Sequence, residues 1–257
     1  MTNFAAAAPF YAAYRPGYPS AVIAVIRDRF RLDGTQQLLD LGCGPGTLAI
    51  PLSRHVNVVH AVDPESAMVT EGVRIAAVEK AVRVAWRVAW AADLPLLGLP
   101  PIAVATLGRS FGWMDRTRVL SDLDHLIEPH GGVVFVGSSD AGARPDWLDV
   151  IETVGAEHLG PGYRDRHGPN HRGVDPEVDL SSSPFPQADT TVFDQSLTFG
   201  LDDLIGLQFS MSYTSPGVLG PRKTAYERDL RAALLACSPS GVFHHARRVV
   251  CTVAVRG

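Results

Sequence analysis

Cysteine is scarce in this chain of 257 residues: Cys43, Cys237 and Cys251 are the three it has. Three cannot build a disulfide framework, and none lies in a CxxC or Cys/His cluster. A reducing compartment is the simple reading, and no metal site is expected. Basic charge is not in excess either. Lys and Arg number 23 against 27 Asp and Glu, a formal net charge of −4, which argues against nonspecific nucleic-acid binding. Long apolar runs are missing as well. The most apolar span, Val84 to Gly108, is interrupted by Arg87, Asp93, Pro95, Pro100 and Pro101, a poor candidate for a membrane helix. The opening "MTNFAAAAPF" has no basic n-region and does not read as a signal peptide. These absences predict a soluble, cytoplasmic protein without nucleic-acid or membrane partners, and leave a homodimer open.

Apolar residues are plentiful. The chain is 46% hydrophobic and 19% charged, enough to bury a sizeable core, and its length fits a single domain over residues 1–257. "YPSAVIAVIRDRF" places Val22, Ile23, Ile26 and Phe30 on one helical stripe after Pro19. "QQLLDLG" reads as a buried strand and "TLAIPLSRH" as the helix after it, with Pro51 confined to its first turn. "NVVHAVD", "VRVAWRVAWAADLP", "PIAVATLG" and "VVFVGSS" read as four more strands. The helix "ESAMVTEGVRIAAVEKA" is expected to face inward through Ala67, Val69, Val73, Ala76 and Ala77. "RTRVLSDLDHLIEP" spaces Val119, Leu120, Leu123, Leu126 and Ile127 as a helix, and "HGG" is expected to turn it into the fifth strand.

Strands alternating with helices predict an α/β fold with a doubly wound, mostly parallel sheet. Beyond about residue 160 the periodicity fades into "GPGYRDRHGPNHRGVDPEVDLSSSPFPQ", an irregular insertion over about 160–190 after the fifth strand. "TTVFDQSLTFG" and "VFHHARRVVCTVAV" then bring the count to seven strands, as a hairpin-like pair at one sheet edge. Between them "TAYERDLRAALLAC" carries the spacing of a capping box, Thr224 with Glu227.

The informative stretch is "LLDLGCGPGTLAIPL". A dinucleotide fold wants G-x-G-x-x-G. Here Gly42, Gly44 and Gly46 put the third glycine one place early, and Thr47 holds the expected position. No Gly-Lys-Ser/Thr follows, which excludes a P-loop. Asp40 stands two residues before the first glycine, where it would repel a pyrophosphate and favour a cationic ligand. Asp63 ends the second strand, 17 residues beyond Gly46, where a carboxylate can take both ribose hydroxyls of a nucleoside. Asp93, after the third strand, can meet an adenine amino group.

"LLDLGCGPG", "AVDPE" and "AADLP" together resemble the three cofactor motifs of class I S-adenosylmethionine-dependent methyltransferases, over roughly residues 10–140. The resemblance implies the Rossmann-like methyltransferase fold and S-adenosyl-L-methionine as cofactor, leaving S-adenosyl-L-homocysteine as product. It implies that Asp40 and the backbone at Gly42, Gly44 and Gly46 hold the methionine part. Asp63 would take the ribose, Pro64 and Met68 would flank the adenine, and Ala92, Asp93 and Leu94 would border its edge.

"FYAAYRPGYP" resembles the opening of the small-molecule, type 11-like branch, where residues 1–18 would form a lid. Tyr14 and Arg15 would then approach the methionine carboxylate. "GRSFGWMD" resembles the exit of the fourth strand in that branch. Arg109 would sit by the cofactor, and Ser110, Phe111 and Trp113 would line the substrate side. That branch often has His before the Trp; this chain has Gly112, which removes an obvious general base. Tyr14, His244 and His245 remain candidates for catalysis, and Tyr163 and Tyr213 for substrate contact. His158, His167 and His171 lie near or within the insertion without metal-ligand spacing.

The expected function is methyl transfer from S-adenosylmethionine to oxygen or nitrogen of a small molecule, a natural product or metabolite. The chain lacks the Asn/Asp-Pro-Pro-Tyr/Phe tetrapeptide of amino-methylating nucleic-acid enzymes. A cofactor-binding protein without turnover and a macromolecule-directed methyltransferase are the alternatives.

Overall fold

The structure is a computed structural model that describes residues 4–167 and 180–257. The chain first forms helices α1 (Ala8–Tyr14) and α2 (Ser20–Arg29). An alternating run follows: β1 (Gln37–Leu41), α3 (Ala49–Leu52), β2 (Val58–Asp63), α4 (Ser66–Val78), β3 (Val84–Val88), β4 (Ile102–Gly108), α5 (Arg116–Leu126) and β5 (Ile127–Asp140). Then come α6 (Asp146–Leu159), α7 (Tyr163–His167), β6 (Gln187–Gly200), α8 (Leu201–Phe209), α9 (Pro216–Leu219), α10 (Lys223–Cys237) and β7 (Val242–Val255). The seven strands make one sheet in the order β3-β2-β1-β4-β5-β7-β6. Strands β1 to β5 pair in parallel. The order reverses beside β1, between the crossovers to β2 and to β4, and ligands of such sheets bind outside the carboxyl ends at that point.

The described chain divides into two compact units. One comprises Gly17–Ser138, Asn170–Phe193 and Val249–Gly257. Its strands explain themselves by side-chain period. Leu38, Val59, Ala61, Val104, Val134 and Val136 are buried with Val22 and Ile26 of α2 and Ala49 and Leu52 of α3. Their neighbours in sequence, Leu39, Val62, Ala105, Val133 and Phe135, are buried with Val119, Leu120 and Leu123 of α5. Successive side chains on a strand point to opposite faces, so a sheet covered on both sides needs near-continuous apolar strands. The N-cap of α5 is Asp115, whose carboxylate accepts from Arg118 N at 3.1 Å.

The other unit comprises Met1–Pro16, Ser139–Pro169 and Asp194–Arg248. Its core joins Trp147, Ile151 and Val154 of α6, Leu204, Ile205 and Phe209 of α8, Tyr226, Leu230 and Leu234 of α10, and Phe243 of β7. Phe10 of α1 packs on Phe209, ring centroids 5.2 Å apart.

Several expectations need correction. Helix α4 buries Met68, Val69, Gly72 and Ala76, whereas Val73 is 48% exposed and Ala77 is exposed. The inner face is one step round from the expected stripe because Gly72 admits the ring of Trp86 from β3. "HGG" is not a turn. Gly131 and Gly132 lie inside β5, and Ile127 belongs to that strand rather than to α5. A side chain at Gly131 would collide with the Ala103 carbonyl on β4. The Thr224 capping box does not form: α10 starts at Lys223 with Arg222 at its N-cap, and no side chain caps it. Glu227 instead pairs with Lys223 at 3.5 Å and Arg231 at 3.0 Å. Helices α6 and α8 stand where no element was expected.

The close fit at α4 is testable. Gly72→Ala should destabilise the protein by about 1–3 kcal/mol, the usual cost of overpacking, even though alanine is the better helix former. Chemical denaturation measures it, and a gain in stability would show that Trp86 moves aside freely.

Candidate functional site

The site residues of the first unit gather at the carboxyl ends of β1, β2 and β4. Leaving β1, the chain turns through Gly42 (φ 70°), Gly44 (φ 54°) and Gly46 (φ 87°), a left-handed region where a Cβ is costly. The turn is pinned to the neighbouring strand, with Gly42 N donating to Val62 O at 2.8 Å and Cys43 N to the same carbonyl at 3.1 Å. Gly42 has no room for a side chain, since Ser110 and Met114 of the loop after β4 close on it. At Gly46 a Cβ would come within 2.6 Å of the Trp86 ring. The turn is therefore a bare backbone surface in a fixed conformation.

Two carboxylates support it. Asp40 lies opposite Thr106 in the β1–β4 register and is 1% exposed. Its Oδ1 accepts from the Thr106 hydroxyl at 2.9 Å and its Oδ2 from Ala49 N, at the start of α3, at 3.0 Å. Burial pushes its pKa up to about 7, opposed by those two hydrogen bonds, with Asp63 adding like charge. Asp63 is 9% exposed. Its Oδ2 accepts from Gly44 N at 2.8 Å and its Oδ1 from Glu65 N at 2.9 Å. It thus joins the glycine turn to the start of α4. Burial raises its pKa too, against the pull of the Glu65 and Gly44 amides.

No lysine or arginine is among the groups that set either pKa. A pair of buried acids without a compensating cation suits a positively charged ligand. Each carboxylate uses one hydrogen bond per oxygen and keeps acceptor capacity on both. The residues present therefore fit an adenosyl sulfonium and do not fit a pyrophosphate.

Met68 is 3% exposed and Leu94 1%, while Ala92 is exposed. Asp93 closes its own turn, Oδ2 accepting from Trp90 N at 3.1 Å. Trp90 itself is 54% exposed, an aromatic face beside Asp93 and just outside the "AADLP" motif, which begins at Ala91. Ser110 donates to Leu41 O at 2.7 Å, and Phe111 packs in the core, 4.6 Å from the Phe135 ring. Trp113 is 47% exposed. Arg109 takes a left-handed backbone, φ 58°, rare for a residue with a Cβ and concentrated at functional sites. Its guanidinium lies 5.0 Å over the Tyr18 ring.

The remaining candidates belong to the second unit. Tyr14 rests on Gly206 of α8, where a side chain would strike its ring. Arg15 donates to Ser210 Oγ at 2.9 Å, to Ser210 O at 3.2 Å and to Met211 Sδ at 2.9 Å. Tyr163 is buried, 5.7 Å from Tyr213. His245 Nε2 lies 2.9 Å from Asp140 Oδ1, and His244 Nδ1 3.2 Å from Thr198 Oγ1. His158 Nε2 meets Asp229 Oδ2 at 3.0 Å. His171 lies outside the described residues, as does the part of the expected insertion from 168 to 179.

Known proteins place part of this chain in a family. Residues 38–131 match the family described as methyltransferase domain. These residues form a methyltransferase domain. The match covers the glycine turn, Asp40, Asp63, Asp93 and the first four strands. S-adenosylmethionine is the methyl donor of enzymes with this domain.

Among solved structures, a provisionally assigned type II methyltransferase from Anaeromyxobacter dehalogenans is similar at 23% identity and TM-score 0.62, over 95% of this chain and 98% of that one. A provisionally assigned methyltransferase from Bacillus halodurans is similar at 14% identity and TM-score 0.56, over 91% and 99%. Geranyl diphosphate C-methyltransferase from Streptomyces coelicolor, solved with Mg2+, geranyl diphosphate and S-adenosyl-L-homocysteine, is similar at 16% identity and TM-score 0.50, over 93% and 78%. At these identities the likeness is one of fold. No curated protein matches the sequence. Among the described residues, no helix is long and apolar enough to cross a membrane.

Proposed function

We propose that this methyltransferase moves the methyl group of S-adenosylmethionine to oxygen or nitrogen of a small molecule. The observation that carries the donor side is the pair of buried acids Asp40 and Asp63, with no lysine or arginine among the groups that set their pKa, beside a glycine-rich turn. A small acceptor is supported by the net charge of −4 and by "GRSFGWMD" where nucleic-acid amino-methyltransferases carry their Pro-Pro tetrapeptide. A polymer groove would need a basic face.

Bound S-adenosylmethionine supplies a methyl group already activated on a sulfonium. The protein's share is to align the acceptor and, for some acceptors, to accept its proton. Gly112 offers no base. His244 and His245 each have a hydrogen-bonded partner that fixes the ring, and Tyr14 has a hydroxyl; these are the candidates for that role. In the donor site the glycine turn and Asp40 would hold the methionine part and Asp63 the ribose, with Met68 and Leu94 beside the adenine.

The test has two steps. Calorimetry should find S-adenosylhomocysteine binding with a Kd in the micromolar range, about −8 kcal/mol. A panel of phenols, carboxylic acids and amines, run beside total tRNA and a peptide library, should then show turnover on a small molecule. Binding without turnover on anything would overturn the transfer reading. Turnover on RNA or peptide alone would overturn the small-molecule reading.

A further inference from the structure

The loop that leaves β3 carries a tryptophan that the fold keeps half in water. Strands β2 and β3 end level with each other: Val88 lies opposite Asp63 in their register, and Ala89 N donates to Asp63 O at 3.2 Å. Trp90 is the next residue. Ala89 and Ala91, on either side of it, pack against the core that holds Val62, Leu94 and the buried side chains of α5. Trp90 stands between them on an extended backbone, φ −79° and ψ 153°. Neighbours on such a backbone point to opposite sides, so its side chain turns away from that core, and it is 54% exposed. Tryptophan is highly buried on average, and the solvated part of this one adds nothing to the packing.

The loop beneath the indole is closely tied. Asp93 Oδ2 accepts from Trp90 N at 3.1 Å, and Asp93 N donates to Trp90 O at 3.0 Å. The two residues thus close a ring at the start of a short 3-10 helix, Ala91–Leu96. Leu94 anchors it in the core, 1% exposed. Arg118, on α5, donates from Nη2 to Ala92 O at 2.9 Å. The Asp93 carboxylate and the Ala92 carbonyl therefore serve the shape of the loop, and the aromatic ring is what the loop presents to a ligand.

A base attached to a ribose held at Asp63 lies one sugar away from that carboxylate. Trp90 is two residues beyond the Val88–Asp63 pair, roughly 7 Å along the strand direction, which is the reach of a nucleoside from its hydroxyls to its base. An indole face there suits any purine, since every base has a π-face and stacking does not read the ring substituents. We infer that Trp90 stacks on the adenine of S-adenosylmethionine, and that this chain selects its donor by the face of the base and not by the 6-amino group. The inference rests on the reading of Asp63 as the ribose contact. Its consequence is tolerance: a cofactor whose 6-amino group is replaced should bind as the natural one does.

Calorimetry on the whole chain with two compounds tests this: S-adenosylhomocysteine, and S-inosylhomocysteine, which has an oxo group in place of the amino group. Wild-type protein should bind the two with affinities within about threefold of each other. Trp90→Ala should weaken both by about tenfold or more, the worth of one base–aromatic stack, and should keep the wild-type thermal midpoint because the ring is half in water. Trp90→Phe should recover most of the loss. Should Trp90→Ala lose stability, Trp90→Leu against Trp90→Phe decides, since only the second keeps a π-face. Affinity that Trp90→Ala leaves unchanged, or equal affinities of the leucine and phenylalanine variants, would overturn the stack. A wild-type preference for S-adenosylhomocysteine beyond that threefold would overturn selection by the face and give the amino group to an acceptor such as Asp93 Oδ1. Asp63→Ala is run beside these variants. A wild type that binds neither compound removes the donor reading and the inference with it, whereas binding that depends on Asp63 and not on Trp90 removes the inference alone.

Discussion

Asp63→Ala should weaken S-adenosylhomocysteine binding by about tenfold to a hundredfold, the loss of a charge-assisted hydrogen bond of about 1–3 kcal/mol. The carboxylate stands at the end of β2, where its two oxygens already hold Gly44 N at 2.8 Å and Glu65 N at 2.9 Å. Removing it leaves both amides without that acceptor and loosens the glycine turn as well as the proposed ribose contact. Asp63→Asn separates the two effects. It keeps one acceptor oxygen for an amide and deletes the charge, so it should retain more stability than alanine while losing most of the same affinity. Calorimetry at 25 °C gives the affinities, and denaturation melts give the stabilities. Affinity unchanged in both variants would return Asp63 to a purely structural role. Loss in alanine alone would mean that the turn's shape matters and the charge does not.

What could be read beforehand depended on whether a feature was written in local pattern. Strands β1 to β5 were legible because a sheet buried on both faces forces runs such as "PIAVATLG" to be apolar throughout. The donor motifs were legible because a bare turn needs glycine and the strand ends need acids at fixed distances. The inward face of α4 was misread because Trp86 is one strand away in sequence, and a pattern within α4 cannot reveal that Gly72 exists to receive it. Gly131 and Gly132 look like a turn for a similar reason: the Ala103 carbonyl beside Gly131 is visible only across β4. Helix α6 has Trp147, Ile151 and Val154 at helical spacing, a stripe that gains its meaning only from the packing partners on α8 and α10 far along the chain.

Asp40 should make the protein's stability fall as pH rises between about 4 and about 7. Its pKa is near 7 in the folded protein against an ordinary 3.8, so the native state holds the proton more tightly than the unfolded chain does. Below the lower value both states are protonated and the contribution is level. Between the two values the unfolded chain sheds its proton first, which favours unfolding, and above the upper value the contribution is level again at its lowest. About three pH units of difference correspond to an upper bound of about 4 kcal/mol. The raised pKa of Asp63 acts in the same direction. Asp40→Asn should flatten most of this slope. Its amide oxygen can still accept from Ala49 N, and its NH2 can donate to Thr106 Oγ1, whose own proton can turn to Leu39 O, 3.4 Å away in the present structure. Urea melts at pH 5 and pH 8 on both proteins measure the difference. Cofactor affinity should show the opposite trend, because a cationic ligand binds the ionised carboxylate. S-adenosylhomocysteine, cationic at its ammonium, should bind the wild type more tightly as pH climbs toward 7, and Asp40→Asn should bind weakly at every pH. A wild-type affinity that is level across pH 5 to 8, together with a slope of stability that asparagine abolishes, would confine Asp40 to holding Thr106 and the start of α3, and move recognition of the methionine group elsewhere in the turn.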